Sequence, residues 1–246
     1  MDVFVARQPI FDKNLEVFGY ELLYRSNTTN NYFNSKDGDK ASSSVIAGSM
    51  FSIGFDVLTG GRKAFINFTE SLLKEQIATI LPKETVVVEL LETIHPDQSI
   101  VEACRSMKEA GYILALDDFV FDQSYRELIE LADIIKVDFM ATDPRQRNYL
   151  VKKFGTPNRK FLAEKVETHE EFKEAVNSGY SLFQGYFFCK PVIIPAKDIA
   201  PYKINYIDLL KYIYQPEPDF KKIAEIIERD ISLSYEILRL INTVAF

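Results

Sequence analysis

The sequence has little of what several large protein classes require. It holds two cysteines and two histidines in 246 residues. Cys104 and Cys189 show neither the spacing of a zinc site nor that of a disulfide framework, so both read as small apolar residues in a reducing compartment. His95 and His169 each stand beside a turn or a helix start and read as surface residues. That argues against zinc chemistry and against a Ser–His mechanism. There is no basic excess: the net charge is -7. A general electrostatic grip on polymeric nucleic acid or on anionic membrane rewards the opposite sign. No apolar run approaches the roughly 18 residues of a membrane span. Met1-Asp2 leads straight into Val3-Phe4-Val5 without a basic leader segment, so a cytoplasmic location is expected. Neither GxGxxG nor a P-loop occurs, which removes the usual glycine-rich phosphate cradles. A small anionic ligand stays possible, because bound metal ions can invert a local field.

What is present is alternation. A hydrophobic fraction of 47% and a charged fraction of 26% suit a core-forming domain. Short apolar runs, often β-branched or aromatic, occur at Val3–Ile10, Val17–Leu23, Ala64–Phe68, Val86–Leu90, Tyr112–Leu116, Ile134–Phe139, Lys160–Ala163 and Ser181–Phe188. They fit buried strands. Amphipathic stretches lie between them: Asp39–Ile53, Glu70–Leu81, Ser99–Ala110 ending at Gly111, Ser124–Ala132, Pro144–Phe154 behind the cap Asp143, and a helix opened by Thr168 and closed by Gly179. Strands alternating with helices imply a parallel sheet. Eight runs in about 190 residues imply an α/β fold of the (β/α)8, TIM-like type. An open doubly wound sheet is the alternative, and its glycine-rich loop is missing. After Pro195 the pattern changes. From Asn205 it is helical, over Ile207–Tyr214, Asp219–Arg229 and Leu233–Val244. A barrel over 1–200 and a short helical segment over 201–246 are therefore expected, the latter packing on the barrel or on another chain, since about 40 residues seldom fold alone.

The strand ends carry the chemistry. Glu21, Asn67, Glu89, Asp117, Asp118, Lys136, Asp138, Glu164 and Gln184 fall at or just past the C-terminal ends of successive runs, with Glu92 and Glu167 three residues beyond two of them. One acid after one strand reads as a helix cap or a solvated loop. A series on strand after strand marks the end where parallel barrels keep their sites. Carboxylates converging there repel one another, and burying them is costly. Lys136 alone cannot balance them, so divalent cations are expected. Oxygen donors without His or Cys favour Mg²⁺, Mn²⁺ or Ca²⁺, and two such ions suit phosphodiester hydrolysis.

These residues resemble the EAL family. Gln8-Pro9-Ile10 is similar to its opening QPI, and Tyr20-Glu21-Leu22-Leu23-Tyr24-Arg25 to the EAL signature with its later Arg. Asn67 stands in an element like VNLS. Glu89-Leu90-Leu91-Glu92 resembles ExTE, and Leu116-Asp117-Asp118-Phe119 resembles DDF. Ile135-Lys136-Val137-Asp138 resembles IKID, Ala163-Glu164-Lys165-Val166-Glu167 resembles AEGVE, and Gln184-Gly185-Tyr186 with Pro191 resembles the closing QGY and proline. The resemblance implies a barrel acting on cyclic di-GMP with two Mg²⁺ or Mn²⁺ ions. It implies metal ligation by Glu21, Asn67, Glu89, Asp117, Asp118 and Glu164, and catalysis by Lys136, Glu164 and Asp118. Arg25, Gln8 and Gln184 would contact the ligand; Glu92, Glu167 and Asp138 would support the site. The tail elements Arg229–Ser234 and Leu238–Asn242 resemble the beginning of an HDOD domain, which implies an EAL–HDOD signalling protein with a protein partner or a second copy at the helical tail. Two departures stand out. Val120-Phe121 replaces a glycine-rich continuation after DDF, and Lys165 replaces the AEGVE glycine. They leave two expectations: a degenerate domain that binds cyclic di-GMP or serves as a scaffold, and an active phosphodiesterase releasing the linear dinucleotide pGpG.

Overall fold

The computed structural model of the chain describes residues 4–25, 42, 45–46, 54–118, 123–188, 192–195 and 219–228. Its strands are β1 (Phe4–Asp12), β2 (Val17–Arg25), β3 (Lys63–Phe68), β4 (Val86–Leu90), β5 (Ile113–Leu116), β6 (Ile134–Asp138), β7 (Lys160–Glu164), β8 (Leu182–Phe183) and β9 (Val192–Pro195). They form one sheet in the order β2-β3-β4-β5-β6-β7-β8-β1-β9, and a further β1–β2 pairing closes the first eight into a barrel. From β2 to β8 every neighbour is parallel. The eightfold α/β barrel expected from the alternation is therefore observed.

One strand departs from the parallel expectation. β1 runs antiparallel to both β2 and β8. Its link to β2 is a tight turn in which Asp12 Oδ1 accepts from Asn14 N at 2.8 Å and Glu16 N at 3.0 Å. A connection that short can join only antiparallel strands. The N-terminal half of β1 also pairs with β9, Phe4 opposite Pro195 and Arg7 opposite Val192. Val192–Pro195, which none of the apolar runs read from the sequence includes, thus supplies an outer strand. Its proline stands at the strand's end, where a missing donor is tolerated.

The helices are α1 (Phe55–Thr59), α2 (Glu70–Lys74), α3 (Gln98–Glu109), α4 (Arg126–Leu131), α5 (Pro144–Phe154), α6 (His169–Ser178) and α7 (Phe220–Glu228). The capped ones fall where their caps predict. Asp143 and Thr168 each form a complete capping box, and Gly179 ends α6 with φ 98°. The helix expected over Glu70–Leu81 is broken. Gln76 has φ 54°, so α2 stops and a 3-10 turn follows over Ile77–Ile80. The strand expected over Ser181–Phe188 ends after Phe183. There Gly185 passes so close to Val166 that a Cβ would lie 2.1 Å from the Val166 carbonyl oxygen. The chain turns away, with Phe187 N donating to Val166 O at 3.1 Å. Apart from Ser42, Val45 and Ile46, the stretch Asp39–Ile53 lies outside the described residues, as do Val120, Phe121, Cys189, Pro191 and the tail motifs Arg229–Ser234 and Leu238–Asn242.

Side chains alternate across each strand, so each strand serves two cores. Outward residues such as Leu22, Ile66, Val88, Leu114, Val137 and Ala163 join the helices in a large mantle cluster. Inward residues form a second, smaller cluster: Ile10, Phe65, Val87, Ala115, Ile134, Leu162 and Leu182. Gly19 opens space for it, since a Cβ there would lie 3.0 Å from the Phe65 ring. The inner cluster is the floor of the barrel.

Candidate metal centre

Two residues further along the same strands, the inward positions are polar. Phe65 leads to Asn67, Val87 to Glu89, Ala115 to Asp117, Ile134 to Lys136, Leu162 to Glu164 and Leu182 to Gln184. β2 contributes Glu21. On the antiparallel β1 the step runs backwards, from Ile10 to Gln8, whose Cα is paired with that of Glu21. A side chain two positions on points the same way, so the parallel strands raise one polar ceiling over one apolar floor. Five of the eight buried polar residues identified in the described chain belong to this ceiling: Glu21, Glu89, Lys136, Glu164 and Gln184.

Lys136 is the hub. It is fully buried, and its Nζ lies 2.6 Å from Asp117 Oδ1, 2.8 Å from Glu89 Oε1, 2.9 Å from Glu164 Oε1 and 3.9 Å from Glu21 Oε1. Burial alone would pull its ammonium down. The charges of Asp117, Glu164, Glu21 and Glu89 outweigh burial and hold it well above its ordinary range. The acids show the reverse imbalance. Burial pushes the Glu89 carboxyl up to about 8 against the attraction of Lys136, with Glu21 and Asp117 adding repulsion. Glu164 is raised well above its ordinary range by burial, and Asp117 and Glu21 add to it. Four carboxylates face one ammonium, so the cluster is short of positive charge.

The donor set fits hard divalent cations. Glu21, Asn67, Glu89, Asp117, Asp118 and Glu164 offer oxygen only. Oxygens of Asp117, Asp118 and Glu164 all lie within 4.8 Å of one another. Asn67 Oδ1, Asp118 Oδ1, Glu89 Oε2 and Gln184 Oε1 are buried without a hydrogen-bond partner. Orphaned buried acceptors are rare and call for an explanation. Here they share one mouth.

The remaining predicted residues divide. Gln184 Nε2 donates to Glu21 Oε2 at 2.6 Å, so its amide positions that carboxylate from inside the barrel. Asp138 Oδ1 accepts from Met140 N at 2.6 Å and Ala141 N at 3.0 Å, and Oδ2 pairs with Lys165. Burial would raise the Asp138 carboxyl, but Lys165 and these amides outweigh that and hold it below its ordinary range. Glu92 and Glu167 are exposed, outside the group gathered by Lys136. Arg25 closes β2 opposite Phe4, and its side chain lies outside the described residues. His95 and His169 are exposed and Cys104 is buried, as expected.

One positioning residue escaped the sequence reading. Arg147, on α5, is buried. It donates to Thr142 O at 2.9 Å and to Phe139 O, pairs with Glu174 at 3.2 Å, and stacks 4.0 Å over the Phe139 ring. It thereby pins the loop that follows Lys136 and Asp138. An arginine on an amphipathic helix ordinarily reads as solvated, and no local signal separates this one.

Fold and mouth together define a class: closed α/β barrels with an oxygen-donor site at the C-terminal ends of the strands. The model of the EAL domain matches residues 43–191, and the chain belongs to the EAL-domain family. It is 42% identical over 99% of its length to the Bacillus subtilis protein YuxH. It is 36% identical over 98% of its length to the Vibrio cholerae cyclic di-GMP phosphodiesterase CdgJ. It spans 60% and 56% of those relatives. Among solved structures, a standalone EAL protein of Vibrio cholerae in its c-di-GMP-bound form is 29% identical, with a TM-score of 0.56 over 77% of this chain and 92% of that one. The EAL enzyme Bd1971 bound to cAMP and cyclic di-GMP shares the fold, with a TM-score of 0.61 at 19% identity over 77% and 62%. No helix among the described residues is long and apolar enough to cross a membrane.

Proposed function

We propose that the chain is the catalytic part of a metal-dependent phosphodiesterase that opens cyclic di-GMP to the linear dinucleotide pGpG. The observation that carries this reading is the buried ceiling itself. Acids from four strands or strand ends face Lys136, and Asn67 Oδ1, Glu89 Oε2 and Asp118 Oδ1 beside them are buried without a hydrogen-bond partner. The similarity to CdgJ over nearly the whole chain supports the substrate.

In this reading Glu21, Asn67, Glu89 and Asp117 would hold one Mg²⁺ or Mn²⁺, and Asp118 and Glu164, whose oxygens lie within 4.8 Å of those of Asp117, would help hold a second. Bound ions of this kind lower the pKa of a water and neutralise charge on phosphoryl oxygens. Lys136, an ammonium paired with Glu89, Asp117 and Glu164, faces the same mouth. It donates hydrogen bonds, and so orients the attacking water and stabilises negative charge as it develops. Glu164 and Asp118 accept from that water and fix its direction. Gln184 keeps Glu21 turned to the metal. Gln8, level with Glu21, and Arg25 meet the ligand, where the guanidinium forms charge-assisted bonds to phosphate. Asp138 braces the loop after β6. Exposed Glu92 and Glu167 act only by tuning the mouth.

A second reading is a cyclic di-GMP receptor or scaffold without turnover, in an EAL–HDOD protein of the cytoplasm that meets a partner or a second copy through its helical tail. Val120-Phe121, in place of glycines after Asp118, favours it, because bulky residues resist the backbone conformations glycine permits.

One experiment separates the two. Purified protein is incubated with cyclic di-GMP and Mn²⁺, and the linear product is followed by chromatography. Turnover that disappears in Glu21→Ala is expected. Micromolar binding by calorimetry without turnover would overturn the enzyme reading in favour of the receptor.

A further inference from the structure

Lys165 stands where sequence, backbone and electrostatics disagree with one another. It follows Glu164 directly and has φ 53°, in the left-handed region where a Cβ is unfavourable. A glycine would suit the backbone better. The chain instead keeps a long cation there. Its Nζ pairs with Asp138 Oδ2 and lies 3.6 Å from Asp118 Oδ2. The side chain is 49% exposed.

The position matters more than the contact. An exposed lysine–carboxylate pair adds little to stability. Asp118, however, is one of three residues whose oxygens lie within 4.8 Å of one another, and its other oxygen is buried without a partner. A positive charge on one oxygen of such a carboxylate weakens the field that a divalent ion at the other oxygen needs. Among the described residues the Lys165 ammonium pairs with Asp118 and Asp138, and no ion pair links it to Glu21 or Glu89.

We propose that Lys165 is a resident counter-ion of the Asp117–Asp118–Glu164 group, competing with one of two divalent ions, so that the chain binds its two ions with unequal affinity and fills the second place only when Lys165 releases Asp118. The inference rests on the metal reading above and deepens it. It assigns to this chain a specificity-determining residue for the second ion.

The test is calorimetric titration of the metal-stripped full chain with Mn²⁺, alongside Lys165→Met and Lys165→Arg. The unmodified chain is expected to bind one equivalent tightly and a second far more weakly. Lys165→Met keeps the length and removes the charge, and it should tighten the second equivalent about tenfold or more while leaving the first unchanged. Lys165→Arg keeps the charge and should behave as the unmodified chain. Circular dichroism confirms that each variant is folded. Two equal equivalents in the unmodified chain, or a second equivalent unmoved in Lys165→Met, would overturn the proposal and leave the metal reading intact. No Mn²⁺ bound by any of the three would overturn both. Failure of cyclic di-GMP turnover with two ions bound would strike the proposed activity and not this inference.

Discussion

The floor and the ceiling of the barrel lie two residues apart on the same strands and obey opposite rules. Below, Ile10, Phe65, Val87, Ala115, Ile134, Leu162 and Leu182 fill the interior with apolar volume. Above, Glu21, Glu89, Asp117 and Glu164 crowd around Lys136. The floor stabilises by removing apolar surface from water. The ceiling carries like charges in a dry place and leaves acceptors unpartnered, which costs stability unless a cation arrives. The barrel is thus stable on account of one layer and useful on account of the next. Folding strength and chemistry are separated by a single turn of the pleat.

That contrast can be broken experimentally. The largest effect is expected from Lys136→Met. It strands four carboxylates in the interior and should destabilise the chelator-treated protein by about 3–5 kcal/mol in urea unfolding. Added Mn²⁺ should recover part of that loss, since a cation can stand in for the missing charge. A loss of the same size with and without Mn²⁺ would show that the ceiling is an ordinary core.

Leu162→Ala tests the floor, with an expected loss of about 3 kcal/mol from lost burial and a residual cavity. Here the loss should be the same with Mn²⁺ or with chelator. Dependence on metal would blur the boundary between the layers. Glu89→Gln, by contrast, removes a charge that burial disfavours more strongly than Lys136 favours it. Its stability in chelator should stay within about 1 kcal/mol of the unmodified chain or exceed it. The rise in melting temperature on adding Mn²⁺ should disappear. Asp143→Ala lies outside both layers. It removes the α5 cap, whose Oδ1 accepts from Arg145 N and Gln146 N at 2.8 and 3.0 Å. About 1 kcal/mol of stability should be lost, with Mn²⁺ affinity unchanged.

Much of this arrangement was legible in the chain, because it depends on local chemistry. Asp143 and Thr168 announce α5 and α6 through their own hydrogen bonds, and both capping boxes form as read. β4 reads as a continuous apolar run because parallel strands are covered on both faces, and all five of its residues are buried. Glu89 is visible in that run as the lone acid. The failures are where distant segments decide. β9 exists because β1 has an open edge at Phe4–Arg7, at the far end of the chain, and nothing within Val192–Pro195 names that partner. The strand expected over Ser181–Phe188 stops short because Val166 blocks all but a glycine at 185. Gln76 breaks a helix whose apolar spacing continues past it. Arg147 carries no mark of burial, since its partners Phe139, Thr142 and Glu174 are assembled only by the fold.

The sequence by itself determined the inventory: eight barrel strands, the capped helices, a polar residue at or near the end of nearly every strand, and an excess of acids over bases among them. Those follow from periodicity, caps and charge, which each residue carries with it. Only the tertiary structure decided which face of each strand looks inward, because that depends on closure by an antiparallel β1. Only it made Lys136 the shared partner of acids drawn from four other strands or strand ends, and brought Lys165 to Asp118, a contact across 47 positions of chain that no local pattern encodes.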